Sequence, residues 1–73
     1  MTAAERRRMF RDRLGLARAN ALDAAYDFNE LTEVHESRLD VRKLGKVAQA
    51  VILAAAEVRI AVRALELAKR GRA

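Results

Sequence analysis

The ionisable and nucleophilic side chains of this sequence do not combine into a catalytic set. The sole histidine, His35, lies between Glu33 and Glu36, and the sole serine is Ser37. Nucleophilic catalysis needs a Ser or Cys activated by a base that a third group orients. The chain has no Cys, its His is not spaced to serve as that base, and its three glycines are isolated instead of forming a phosphate-binding loop. We therefore predict no enzyme activity and no small-molecule substrate.

Three carboxylates would resemble a metal site if they met on one face of a helix. Asp23, Asp27 and Glu30 are spaced to share such a face. Di-iron bundles add Glu-x-x-His pairs on two helices, which this chain lacks, and thiolate sites need Cys. We predict no metal and no cofactor, and expect these acids to be solvated or to meet basic residues of a neighbouring subunit. His35 is interpreted as a packing residue at a helix end.

Arginine supplies the one feature of this chain that favours binding. Residues 1–22 carry six arginines against two acids, residues 23–40 carry six acids against one arginine, and residues 41–73 carry eight bases against two acids. Guanidinium groups match phosphates and carboxylates, so an Arg-rich helix predicts either a solvated face or a surface for a macromolecule. No helix-turn-helix, zinc-finger or aromatic RNA-binding pattern accompanies the arginines. A protein partner is therefore slightly favoured over RNA or DNA.

In an antiparallel hairpin the Arg-rich start would lie beside the basic residues at the end of the chain. We call this set the basic end and predict that it binds the partner. Its members are Arg6, Arg7, Arg8, Arg11, Arg13, Arg18, Lys69 and Arg70, and Arg72 extends the same end.

The first predicted helix covers about residues 3–34. Thr2 and Glu5 have the spacing of a capping box, which marks its start. Apolar residues then recur at steps of three and four, as on the contact face of a coiled coil. That predicted seam is Phe10, Leu14, Ala17, Ala21, Ala24, Phe28, Leu31 and His35. Gly15 is interpreted as tolerated within one helix, with a break there as the alternative.

The seam cannot continue beyond this point, because its next positions are polar or glycine. A turn is therefore predicted at about residues 35–39, with Ser37 to Asp40 spaced as a second capping box and Asp40 as an alternative N-cap. The second helix covers about residues 40–70. Gly71 occupies the position after the helix that favours a left-handed residue.

The second helix is predicted to have apolar residues on two opposite sides. One stripe, expected to pack against the first helix, is Leu44, Val47, Ala48, Val51, Ala54, Ala55, Val58, Val62 and Leu65. The other is Leu53, Ala56, Ile60, Ala64 and Leu67. A helix that is apolar on two sides needs two partners, and one hairpin supplies only one. We therefore predict that Leu53, Ile60 and Leu67 mediate self-association.

The predicted architecture is an all-α single domain over residues 1–73, an antiparallel two-helix hairpin that pairs into a four-helix bundle as a homodimer. A higher oligomer, a swapped assembly, or a helix of another protein on the second stripe would satisfy the same pattern. The longest uncharged run, residues 47–56, is far shorter than the roughly 18 residues that span a bilayer, so no membrane insertion is predicted. An amphipathic helix over residues 6–22 on a lipid surface is disfavoured, because its apolar residues spread around the helix.

The predicted function is that of a cytoplasmic, non-catalytic interaction or regulatory module that binds a protein through the basic end and the adjoining helix faces. The cytoplasmic expectation follows from the absence of a signal-peptide pattern and of Cys. The alternative is a dimeric RNA- or DNA-binding regulator whose Arg-rich first helix contacts phosphates.

Overall fold

The computed structural model describes residues 1–71 and contains two long helices joined by a short turn. Helix α1 spans Ala3–Glu33, a 3-10 helix spans Glu36–Arg38, and helix α2 spans Val41–Arg70. The two long helices pack against each other as a hairpin that measures 57 by 14 by 14 Å. The predicted all-α helical hairpin is confirmed. Within residues 1–71, neither helix contains a segment long and apolar enough to cross a bilayer.

The start of α1 is fixed by the predicted capping box, which is confirmed. The Thr2 hydroxyl accepts from the Glu5 backbone N–H, and the Glu5 carboxylate accepts from the Thr2 backbone N–H, both at 3.1 Å. Hydrogen bonding of the Glu5 carboxylate to the Thr2 backbone N–H, and then to the Thr2 side chain, favours its ionised form and lowers the pKa of Glu5. The helix continues through Gly15, where an added Cβ would have no neighbour within 4 Å, so the alternative of a break there is wrong.

The turn is built differently from the predicted second capping box. His35 is the N-cap of the 3-10 helix, and its Nδ1 accepts from the Ser37 backbone N–H at 3.2 Å. Asp40 is the N-cap of α2 and accepts from the Arg42 backbone N–H at 2.9 Å, as the alternative proposed. His35 therefore does not extend the seam of α1. The Ser37 box fails because these local hydrogen bonds end one helix and start another within the turn.

Gly71 ends α2 in a right-handed conformation, with φ −65° and ψ −6°. The left-handed cap predicted there is wrong. The last turn of α2 continues through this residue, whose N–H donates to the Leu67 carbonyl at 3.1 Å.

The seam between the helices is lined mainly by alanine. The buried residues of the described chain are Ala17, Ala24, Leu31, Val47, Ala61, Ala64 and Ala68. Small side chains let the two backbones approach closely, but each removes little apolar area from water. A core cluster of Ala24, Leu31 and Val47 lies in the half of the rod nearest the turn. The hairpin therefore has a thin core in which Val47 is the largest fully buried side chain.

The seam of α1 is rotated from the predicted one. Ala17, Ala24 and Leu31 are buried as expected, but the alternating positions are the half-buried Arg13, Asn20 and Asp27. The predicted positions one residue later are exposed instead: Leu14, Ala21 and Phe28. At Arg13 the physical reason is the pair with Glu57 across the seam, described below, which draws the Arg13 side chain inward and turns Leu14 outward.

The two stripes of α2 are reassigned in the same way. The seam of α2 follows steps of four and three through Lys43, Val47, Ala50, Ala54, Glu57, Ala61, Ala64 and Ala68, all buried or half-buried. Ala64, predicted on the outer stripe, is buried against α1. Val51, Val58 and Val62, predicted to pack inside the hairpin, are exposed. Alanine occupies the closest contact because a larger side chain there would hold the helices apart.

The fully buried Ala61 tests this close approach. We expect Ala61→Leu to lower the free energy of unfolding by about 1 to 3 kcal/mol, because the seam has no room for the added atoms. Ala19→Leu, at an exposed position of α1, is the matched control and should change it by less than about 0.5 kcal/mol. Urea denaturation of both variants provides the comparison. Equal effects would contradict alanine-mediated packing.

Candidate functional site

An apolar groove of about 610 Å³ runs between the two helices on one side of the hairpin. Its walls are formed by Phe10 and Leu14 of α1 and by Val51 and Val58 of α2. The floor contains seam alanines. Since the hairpin is only one helix pair thick, the groove is open along its length and can receive an elongated partner.

The groove is the central part of a longer apolar surface. Exposed apolar side chains continue it at helical spacing toward the turn, and a recess lined by Phe10 and Leu65 continues it toward the chain ends. We call this surface the groove face. It comprises Phe10, Leu14, Ala21, Phe28, Leu44, Ala48, Val51, Ala55, Val58, Val62 and Leu65.

The charges that border the groove face are positive. Arg11 and Arg18 line the groove, and Arg7, Arg11 and Lys69 line the recess, with no acid in either lining. Within residues 1–71, no ion pair includes these four residues. Arg and Lys side chains can lie along apolar surface while their charged groups reach water. The groove face is therefore apolar with a cationic edge in the half farthest from the turn.

The predicted self-association residues lie on the opposite side of α2. Ile60 follows Val58 by two residues, which is about 200° around a helix, so the two side chains point away from each other. Leu53 and Ile60 are exposed and Leu67 is half-buried. We call this side the Ile60 face. Its neighbouring recess on α1 mixes acids with bases, since Glu5, Asp12, Arg8 and Arg13 line it together with Met1, Met9 and Leu16.

Arg13 differs from the other arginines of the basic end. Its guanidinium donates to both carboxylate oxygens of Glu57, at 3.1 and 3.3 Å, across the seam. This pair is partly shielded from solvent and joins the middle of α1 to α2. Arg13 is therefore committed to the fold, whereas sequence reasoning grouped it with the binding residues.

The remaining members of the basic end come together as the hairpin closes. Arg7 and Arg11 share one recess with Lys69, and an added Cβ on Gly71 would lie 3.8 Å from the Ala3 Cβ. Arg6, Arg8 and Arg70 belong to the same terminal turns, and Arg72 lies outside the described residues. The fold thus concentrates positive charge at the end of the rod opposite the turn.

The acidic segment lies at the other end of the rod. Glu30 forms an ion pair with Lys43 of α2, and this hydrogen bond, followed by the charge of Glu30, raises the pKa of Lys43. Of the three acids predicted to share a face, Glu30 thus meets a base within the hairpin, Asp23 is exposed to solvent, and Asp27 occupies a half-buried seam position. In the described part of the chain, no group of three or more His, Asp or Glu could hold a metal ion.

No family model, curated protein or solved structure matches this chain. Its own surfaces are therefore the basis for a functional assignment. Two of them are uncovered apolar faces, suited to packing against other helices, and the third is a cationic end, suited to anions. Sequence reasoning missed the groove face because it assigned those side chains to the interior. The sequence does contain a signal for this face. Between Leu44 and Leu65, apolar residues recur at steps of four and three in a row that lies one residue after the seam positions.

Substitutions of Arg13 and Arg11 should distinguish an arginine that stabilises the fold from one that only lines the surface. We expect Arg13→Ala to lower the free energy of unfolding by about 1 kcal/mol, because it breaks the pair with Glu57 and leaves that carboxylate without its partner. Arg11→Ala, which breaks no ion pair, should change stability by less than about 0.5 kcal/mol. A double-mutant cycle with Glu57→Ala measures the coupling by urea denaturation. Zero coupling would contradict the assignment of Arg13 to the fold.

Proposed function

We propose that this chain is a non-catalytic helical interaction module that self-associates and binds another macromolecule, in the first place a protein, through its basic end. The observation that carries the proposal is that the hairpin leaves large apolar side chains uncovered on two sides. An apolar surface of this extent is typical of a protein contact, because exposed apolar area in water is unfavourable.

Self-association is supported by the small core. Most of the buried residues are alanine, so the hairpin by itself removes little apolar surface from water. Chains of this length commonly add disulfides, a metal or oligomerisation, and this one has no Cys. Both the groove face and the Ile60 face, with Leu53, Ile60 and Leu67, are candidates for the contact between copies.

The basic end is proposed as the surface for the second macromolecule. Three of its arginines, Arg6, Arg7 and Arg8, lie in the first turns of α1, where positive charge opposes the helix dipole. Charges that destabilise a helix end are commonly retained because they serve a function such as binding. A protein with an acidic surface is the favoured ligand. An RNA or DNA ligand is the second candidate, because Arg7 and Arg11 lie together with Lys69 and could contact successive phosphates.

Light scattering coupled to size exclusion tests self-association directly. We expect the wild-type chain to elute with twice its own mass at micromolar concentration, because dimerisation covers apolar side chains that one hairpin leaves in water. A sample diluted through the dissociation constant should shift toward the chain mass. A folded species that retains the chain mass at the highest concentration would contradict self-association.

Replacing Arg6, Arg7 and Arg8 together by Gln tests the basic end. The partner should be lost in affinity capture from the native host after nuclease treatment, since the replaced charges are those that would contact it. The matched control replaces Arg38, Arg42 and Arg59, which removes the same charge elsewhere. For the nucleic-acid alternative, titration of labelled RNA and duplex DNA at several salt concentrations should give a shallower salt slope in the first variant. Equal capture by both variants, with no nucleic-acid binding, would contradict a role for this end.

A further inference from the structure

We propose that the groove face is the contact between two copies of this chain, which dock face to face with their rods antiparallel so that α2 packs against α2 of the second copy. This inference rests on the proposed self-association and specifies which face is used and in which orientation. The Ile60 face then stays open to other partners.

The continuity of the apolar pattern on α2 favours the groove face. Steps of four and three run without a charge through Leu44, Ala48, Val51, Ala55, Val58, Val62 and Leu65. This is the spacing of a coiled-coil contact, and it lies beside the seam that α2 already makes with α1. The large apolar positions of the Ile60 face on α2 begin only at Leu53, because the position one heptad earlier in that row is Lys46.

The length of the groove face favours a second copy as its occupant. At 1.5 Å per residue the face extends about 32 Å along α2, from Leu44 to Leu65, on a rod whose sides measure 57 by 14 Å. An occupant must be elongated to cover it. A second copy has the required length, and it brings an identical apolar face that itself needs covering.

The distribution of charge selects the antiparallel orientation. Residues 1–22 carry six arginines against two acids, whereas the turn end, residues 23–50, carries six acids against the four bases Arg38, Arg42, Lys43 and Lys46. With a twofold axis perpendicular to the rods, each cationic end lies beside the acidic turn of the other copy. An axis parallel to the rods would instead place the two cationic ends together. Arg11 and Arg18, at the edge of the face, can extend their charged groups to solvent.

The register follows from full overlap of the apolar row of α2 from Leu44 to Leu65. Ala55 is the middle member of this row, so it would lie close to the axis and face its own copy. By the same geometry Val58 would face Val51. Ala56, the next residue, is turned by about 100° around the helix, away from the groove face, and would lie farther from its copy.

Val58 and Ile60 form a matched pair for the test. Both are β-branched, and 41% and 40% of their surfaces are exposed. Sedimentation equilibrium should show that Val58→Asp weakens the dimer by more than about 30-fold, because it places an unpaired carboxylate in an apolar contact. Ile60→Asp should leave the dimer dissociation constant within about threefold of the wild type, and circular dichroism monitors folding of both.

Crosslinking through introduced cysteines gives a second measurement that leaves the fold nearly unchanged. The native chain has no Cys, so Ala55→Cys creates a single thiol. Under mild oxidation it should form a disulfide-linked dimer, whereas Ala56→Cys should not. Val51→Cys mixed with Val58→Cys should crosslink more readily than either alone, which distinguishes antiparallel from parallel pairing of α2.

The outcomes separate this inference from the function on which it rests. If Ile60→Asp dissociates the dimer and Val58→Asp does not, or if Ala56→Cys crosslinks as readily as Ala55→Cys, self-association stands and the groove face is wrong. If Val58→Asp unfolds the chain, the crosslinks alone decide. A monomeric wild type would overturn both, including when the groove instead binds anionic vesicles or an acidic helix.

Discussion

The close approach of two alanine-lined helices is the constraint on which the rest of the structure depends. Burying Ala17, Ala24, Ala61, Ala64 and Ala68 brings the backbones together, and larger side chains cannot occupy the same positions without separating them. Apart from Leu31 and Val47, which are buried near the turn, most of the valines and leucines therefore lie on the two sides of the seam. The same geometry that makes the hairpin compact leaves it with apolar surface that only another molecule can cover.

The charged residues are distributed unequally between the two ends of the rod. Across the seam, the partly buried Arg13 donates to Glu57, and at the exposed edge near the turn Lys43 donates to Glu30, so both pairs join α1 to α2 without adding apolar burial. Outside it, arginines gather at one end and acids at the other. A rod with opposite charges at its ends and an apolar side is suited to antiparallel association.

The sequence predicted the elements of the fold better than their rotation. The capping box at Thr2 and the alternative N-cap at Asp40 were sufficient to place both helix starts, because these signals are local hydrogen bonds. The contact face was misassigned because steps of three and four fit two registers one residue apart. Their apolar side chains favoured Leu14 and Phe28 as contact positions, whereas Arg13 and Asp27 occupy the contact face in the structure. The basic end could be listed from composition alone, but only the fold showed that Arg13 belongs to the seam and that a groove lies beside Arg11.

The concentration dependence of thermal unfolding tests most directly whether one hairpin is incomplete. When folding and association are coupled, the midpoint Tm rises with chain concentration, because mass action favours the assembled state. Over a 100-fold range of concentration, we predict a steady rise in Tm by several degrees. A Tm that is high and independent of concentration would show that the hairpin is stable by itself and would contradict self-association.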